Sequence, residues 1–195
     1  MKRSSKLSVG ALALTLAVGV CLVPAYAQKG SGKGQDRIAR EARHELVMLP
    51  YYGVFDNMAF KVEGSTVTLL GQVTRPTLKS DAENVVKGIE GVEKVNNQIE
   101  VLPLSSMDDS IRIATYRAIF SQPGLDRYAM QAVPPIHIIV ANGKVSLEGV
   151  VANQADKDRA GIQANGVSGV FGVTNNLRVE GDKGNKGDRS DKSDR

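Results

Sequence analysis

"GVEKVNNQIEV" (Gly91–Val101) and "GVFGVTNNLRV" (Gly169–Val179) stand 78 positions apart and close two stretches of one 195-residue chain in nearly the same words. Sliding the sequence on itself by that offset superposes Phe60–Val101 on Ile138–Val179 without a gap, with 13 identities in 42 positions. Most of the repeated residues are apolar positions and glycines, among them Val67/Val145, Leu69/Leu147, Gly71/Gly149, Val73/Val151, Ala82/Ala160, Gly88/Gly166 and Gly91/Gly169. Of the polar residues only Lys79/Lys157 and Asn97/Asn175 recur. A shared fold preserves core positions and turns, whereas a shared catalytic site would preserve polar groups. The chain therefore holds two copies of one domain.

Periodicity gives each copy its elements. "TVTLLGQV" (66–73) and "KVSLEGVV" (144–151) alternate apolar residues and read as strands with one buried face. "VEGST" and "VANGK" precede them as the turn of a hairpin whose first strand is "AFKV" or "HIIV". A polar segment follows, in which Leu78, Ala82, Val85 and Ile89 fall at helical spacing, and Gly88 and Gly166 are expected to end the helix in a left-handed conformation. The final strand is the repeated ending. Ahead of each hairpin, Ile38, Ala42 and Leu46, and then Ile111, Thr115 and Ile119, share a helical face. Each copy is thus α-β-β-α-β, an α+β unit with two helices on one face of a small three-stranded mixed sheet.

The flanks have another character. Lys2, Arg3 and Lys6 precede a largely apolar run, Leu7–Val23, that ends in "PAYAQ", which reads as a signal peptide over 1–27 cleaved after Ala27. A membrane anchor needs roughly 20 apolar residues, and this run carries Gly10, Thr15 and Gly19 and stops at Pro24. Cys21 lacks the small preceding residue that lipid attachment wants, since Val20 stands there. A Gly/Lys-rich spacer (28–35), a first domain (36–102), a linker (103–110), a second domain (111–180) and a charged, low-complexity tail (181–195) complete the division. The expected destination is outside the cytoplasm, the periplasm or the medium.

Cleavage would change the charge. Removing Lys2, Arg3 and Lys6 takes 25 basic residues to 22 against 21 acidic ones, so a net +4 becomes +1. That is too little excess to neutralise many phosphates, and nucleic acid is not an expected partner. The single cysteine goes with the leader, which removes disulfides and a thiolate nucleophile. His44 and His137 occupy non-equivalent places, "GVSGV" (166–170) lacks G-x-S-x-G spacing, and the pairs Asp108/Asp109 and Asp156/Asp158 sit where helices begin and suit the helix dipole. Catalytic residues, metal ligands and cofactors are therefore all expected to be none.

The order α-β-β-α-β, the cores "GSTVTLLGQV" and "NGKVSLEGVV", and the ending G-I-x-G-V-x-x-V-x-N-x-I/L-x-V resemble the BON domain family, whose members occur in tandem in bacterial envelope proteins. The resemblance covers both copies. It implies an exported, non-enzymatic module that associates with phospholipid membranes and supports envelope integrity under stress. The alternative is a scaffold that binds another envelope protein or a second copy of itself. Gly71, Gly91, Gly149 and Gly169 read as structural, with a helix expected over Gly71 and Gly149, and Asn97 and Asn175 as local backbone partners. For an anionic membrane surface the candidates are Arg37, Arg40 and Arg43, which recur along the first helix away from its apolar stripe, and Tyr51 and Tyr52 in "LPYYGVF" (49–55). The same arginines also read as a solvated polar face, and the aromatic cluster as a cap on its own core.

Overall fold

The computed structural model describes residues 29–181; the expected leader and all but the first residue of the tail lie outside them. In the first copy α1 (Lys29–Val47) is followed by β1 (Asn57–Glu63), β2 (Thr66–Val73), α2 (Pro76–Lys87), β3 (Lys94–Asn97) and β4 (Glu100–Val101). The second copy repeats the order as α3 (Ser106–Phe120), a short α4 (Asp126–Ala129), β5 (Ile136–Ala141), β6 (Lys144–Val151), α5 (Gln154–Asn165), β7 (Gly172–Asn175) and β8 (Arg178–Val179). In each sheet the second strand is central: β1 and β5 pair with it antiparallel, while β3, β4, β7 and β8 pair with it parallel. Both copies are the expected α+β unit.

Each core lies between sheet and helices. Ile38, Ala42 and Leu46 of α1 and Leu78, Ala82 and Val86 of α2 bury against Val67, Leu69 and Val73 of β2. Ile111 and Ile119 of α3 and Ala160 and Ala164 of α5 do the same against Val145, Leu147 and Val151. On α2 it is Val86, rather than Val85, that is fully buried, because Leu78, Ala82 and Val86 keep a strict i, i+4 spacing on one face. The outer strand of each sheet is broken in two by one repeated side chain. Asn97 donates from Nδ2 to the Lys79 carbonyl (2.9 Å) and accepts from the Ile99 amide (3.1 Å); Asn175 does the same with Lys157 (2.7 Å) and Leu177 (3.3 Å). These asparagines satisfy backbone groups of helix and strand together, as expected of them.

Several local expectations are corrected. What excludes a side chain at Gly71 and Gly149 is strand backbone rather than a helix. Their φ angles are +115° and +118°, and an added Cβ would stand 2.1 Å from the Asn57 carbonyl oxygen or 2.0 Å from that of Pro135, so the neighbouring strand's own backbone excludes a side chain. Gly88 and Gly166 end their helices right-handed, with φ of −75° and −78°; the left-handed turn comes three residues later at Gly91 and Gly169, beneath the first helix of each copy. The stretch read as a spacer is helical from Lys29, despite Gly30, Gly32 and Gly34, which disfavour a helix. The linker is shorter than 103–110, because Ser105 caps α3 by accepting from the Asp108 amide.

Two carboxylates assigned to helix dipoles have a wider task. Asp108 is buried and accepts from the amides of Asn142 (3.0 Å) and Gly143 (2.8 Å), fastening the β5–β6 turn to α3. Asp156 is buried under the inserted α4, where it accepts from the Tyr128 hydroxyl (2.8 Å) and from Arg127. Charge-assisted bonds of this kind link elements far apart in the chain.

Gly71→Ala and Gly149→Ala should each destabilise the protein by about 2–4 kcal/mol in urea unfolding, combining left-handed strain with a backbone clash. Gly64→Ala, at φ +63° with open space around it, is the control and should cost about 1 kcal/mol.

Candidate functional site

The segment between α1 and β1 decides how the two copies meet. Tyr51 turns it with φ +68°. The buried Asp56 carboxylate then accepts from the Thr74 amide (2.7 Å), the Thr74 hydroxyl (2.8 Å) and the Gly53 amide (3.2 Å), clamping the loop to the end of β2. Held this way, the loop presents Tyr52, Val54 and Phe55 to the second copy. The Ile138 amide donates to the Val54 carbonyl (2.7 Å), and Val54 and Phe55 pack on the second core, with the Phe55 ring 6.3 Å from that of Tyr116. Every residue of Ile136–Val140 is buried. Ile136, Ile138 and Val140 face the helices, and His137 and Ile139, on the other face by strand alternation, are covered from the first copy's side.

His137 stacks on Tyr52 at 5.6 Å between ring centroids, and its Nδ1 lies 3.3 Å from the Gly53 carbonyl oxygen. Burial pushes the imidazole below its ordinary range, against the opposing pull of the Gly53 carbonyl, Asp56 and Glu148. Burial also pushes the Tyr52 hydroxyl up to about 12, opposed by a hydrogen bond with the Met58 backbone and reinforced by Asp56. Both rings are thus held neutral at the junction.

Beside this junction runs a groove of about 390 Å³. Its floor is apolar, made by Leu46 and Val47 of α1 and by Met58 and Phe60 of β1, with Tyr52 between them. One cation comes from each copy: Arg43 of α1 and Arg178 of β8, both exposed. Neither arginine joins an ion pair among the described residues. Two other inter-copy clefts carry carboxylates: one is lined by Glu100 and Glu148 beside Lys144, and the other by Asp109, paired with Arg112, beside Arg75. Two unpaired guanidinium groups over an apolar floor can hold an anionic headgroup while an acyl or other apolar portion covers the floor.

The five residues proposed for membrane contact separate in the structure. Arg37 bonds the Glu90 carboxylate (3.0 Å) and carbonyl (2.9 Å) and lies 3.5 Å from Glu41, so it fastens α1 to the loop after α2. Arg40 and Arg43 are exposed, and only Arg43 enters the groove. Tyr51 points outward under the Arg75 guanidinium, 4.7 Å from its ring centroid, whereas Tyr52 turns inward onto His137. Of the residues sequence reasoning passed over, Arg178 and Asp56 left no pattern. Ile139 did leave one: it stands where the first copy has Lys61, an apolar residue on the face a lone sheet would leave wet. Among the described residues no group of three or more His, Cys, Asp or Glu side chains is placed to hold a metal ion, and no helix is long and apolar enough to cross a membrane.

The junction makes stability depend on pH at both ends. The depressed His137 contributes stability that is present above about 6.5 and lost as pH falls; the raised Tyr52 contributes stability that is present below 10 and lost as pH rises toward about 12. His137→Gln should flatten the acid limb of unfolding free energy against pH, and Tyr52→Phe the alkaline limb. Phe55→Ala should cost about 2 kcal/mol, less than a fully buried phenylalanine.

Comparison with known proteins accords with this architecture. The model of the BON domain matches residues 36–103 and 125–181. Osmotically-inducible protein Y of Escherichia coli (strain K12) is 32% identical over 127 residues, covering 64% of this chain and 62% of the relative, so the match spans a little under two thirds of that protein's length. Two solved structures of CdsD, a structural protein of the type III secretion system of Chlamydia trachomatis, are 14% and 13% identical. Those alignments cover 72% of this chain and 90% and 96% of theirs at TM-scores of 0.27 and 0.26, values that carry no argument. With two matched segments that together span more than half its length, one in each copy of the repeat, this chain belongs to the BON domain family.

Proposed function

We propose that this protein is an exported, non-enzymatic envelope protein that associates peripherally with anionic phospholipid and supports the envelope under osmotic stress. The observation that carries the reading is the groove between the copies, with Arg43 and Arg178 unpaired above Leu46, Val47, Met58 and Phe60. Cations near an anionic surface contribute about 1 kcal/mol each, and the exposed Arg40, one helical turn from Arg43, adds a third. The name of the relative, osmotically-inducible protein Y, supports the stress assignment. The signal-like segment at 1–27 supports export to the periplasm.

A partner protein in the envelope is the competing occupant. Strand addition to a sheet edge is its simplest form, but the parallel edges are short. β3 and β7 have four residues each, β4 and β8 two, with a break between the pieces. Such edges offer little backbone to a further strand, and the longer edge is β1, whose seven residues pair with β2 alone.

Co-sedimentation of the protein from Gln28 onward with zwitterionic and with anionic vesicles, each at low and high salt, tests the reading. Binding should require anionic lipid and fall with salt. Arg43→Glu combined with Arg178→Glu should lower the bound fraction about tenfold or more without moving the thermal midpoint. Absence of binding to every vesicle, or binding indifferent to salt, overturns it.

A further inference from the structure

The two copies have nearly the same backbone but unlike ends. At the end formed by the hairpin turn and the loop after the second helix, the first copy carries Glu63, Glu90 and Glu93. The equivalent residues of the second copy are Ala141, Ser168 and Phe171. Three carboxylates on one copy are thus matched by none on the other; Glu63 pairs with Lys61 and Glu90 with Arg37, which leaves Glu93 without an ion pair among the described residues. The remaining differences are small in charge, since Lys144 replaces Thr66 and Gly172 replaces Lys94.

The aromatic residue in that set is held outward. Phe171 is 74% exposed, and its amide donates to the Gly143 carbonyl (2.9 Å). Its ring lies over Gly143 so closely that a Cβ there would come within 2.4 Å of it, and Gly143 itself has φ +73°. The first copy has the pair Ser65 and Glu93 at these positions, joined by a hydrogen bond of 2.7 Å. Met107, half exposed in the first turn of α3, lies against Gly169 beside the same turn. Of the carboxylates in the first turn of α3, Asp108 holds the turn amides and Asp109 pairs with Arg112. An apolar ring and a thioether therefore project from this end, and Lys144 beside them also borders the inter-copy cleft lined by Glu100 and Glu148.

We propose that this end of the second copy, Phe171 with Met107 and Lys144, inserts into the headgroup and acyl boundary of a phospholipid bilayer, and that the first copy does not insert. The proposal rests on the membrane reading above and adds which copy enters the bilayer, by which residues, through a surface separate from the inter-copy groove. Size decides between lipid and protein as the occupant. One aromatic side chain buries about 150–250 Å², far short of the roughly 1,000 Å² that a specific protein interface requires. A bilayer, by contrast, accepts a single ring at its interface. The glycine beneath the ring sets its direction before contact.

The protein has no tryptophan, so a single one reports its own surroundings. Phe171→Trp and, at the matching place in the first copy, Glu93→Trp are each mixed with anionic vesicles, with and without brominated acyl chains, while sedimentation is followed in parallel. The expected result is a blue shift and quenching by brominated lipid for Phe171→Trp and neither for Glu93→Trp. Phe171→Ser should retain its thermal midpoint, as an exposed position, and lose about tenfold in vesicle partition. If both tryptophan variants sediment with vesicles but Phe171→Trp emission stays unchanged, the insertion proposal is overturned and the membrane reading stands. If neither variant nor the parent sediments with any vesicle, the membrane reading fails and takes this proposal with it. A blue shift that follows protein concentration without lipid would make the tip a self-association surface and also overturn the proposal.

Discussion

The carbonyl oxygen of Asn57 lies over Gly71, and that of Pro135 over Gly149, closer than any side chain would permit. This approach of two backbones sets the geometry from which the rest of each copy is built. A positive φ in mid-strand bends the central strand at the start of its partner, so the antiparallel pair ends there and the chain before β1 or β5 is free to leave the sheet plane. In the first copy the residues released are Tyr52–Asp56, which seat against the second copy. In the second they are Val133–Pro135, which lead back to α4 and its contact with Asp156. One constraint, used twice, therefore serves both the hairpin register and the route by which the copies meet.

The junction between copies is made of few groups, and each is tied on two sides. Asp56 holds the loop to β2, Val54 holds it to β5, and Tyr52 and His137 close the space between. Because both rings are kept neutral by burial, the Tyr52–His137 contact itself carries no charge. Its rim is where charge returns. Arg43 and Arg178, remote in sequence and from different copies, come to one groove only because the junction fixes the modules relative to each other. The duplicated domain thus gains a surface that neither copy has alone, while Glu93 in one copy and Phe171 in the other make the two ends differ in charge and in exposed apolar area.

Most of the architecture was legible in the sequence, and the reason is local. Alternation at Val67, Leu69 and Val73, helical spacing at Ile38, Ala42 and Leu46, and a glycine or asparagine at each turn are short-range signals that physical chemistry reads in a window of a few residues. A self-match of 42 positions at an offset of 78 then repeated the strand, turn and second-helix signals. The errors were also local in kind. Gly88 looked like a left-handed helix stop but stayed right-handed, because Gly91 three residues on took the turn. Gly71 looked like a place for a helix, but the atom that excludes its Cβ belongs to a residue 14 positions earlier. The candidate membrane residues were read as one stripe and one loop, and packing divided them: Arg37 to Glu90, Tyr52 to His137, and Arg43 to the groove.

By itself the sequence determined that this chain is two α-β-β-α-β units, which residues form each core, and which glycines and asparagines the backbone requires, since those follow from periodicity and steric allowance along the chain. Only the tertiary structure decided that the loop of one copy seals the open face of the other, that Arg43 and Arg178 share a groove, and that Asp56, Asp108 and Asp156 spend their charge on buried amides and hydroxyls. Those facts depend on contacts between residues up to 135 positions apart, whose strength lies in burial and hydrogen-bond geometry that no local pattern records.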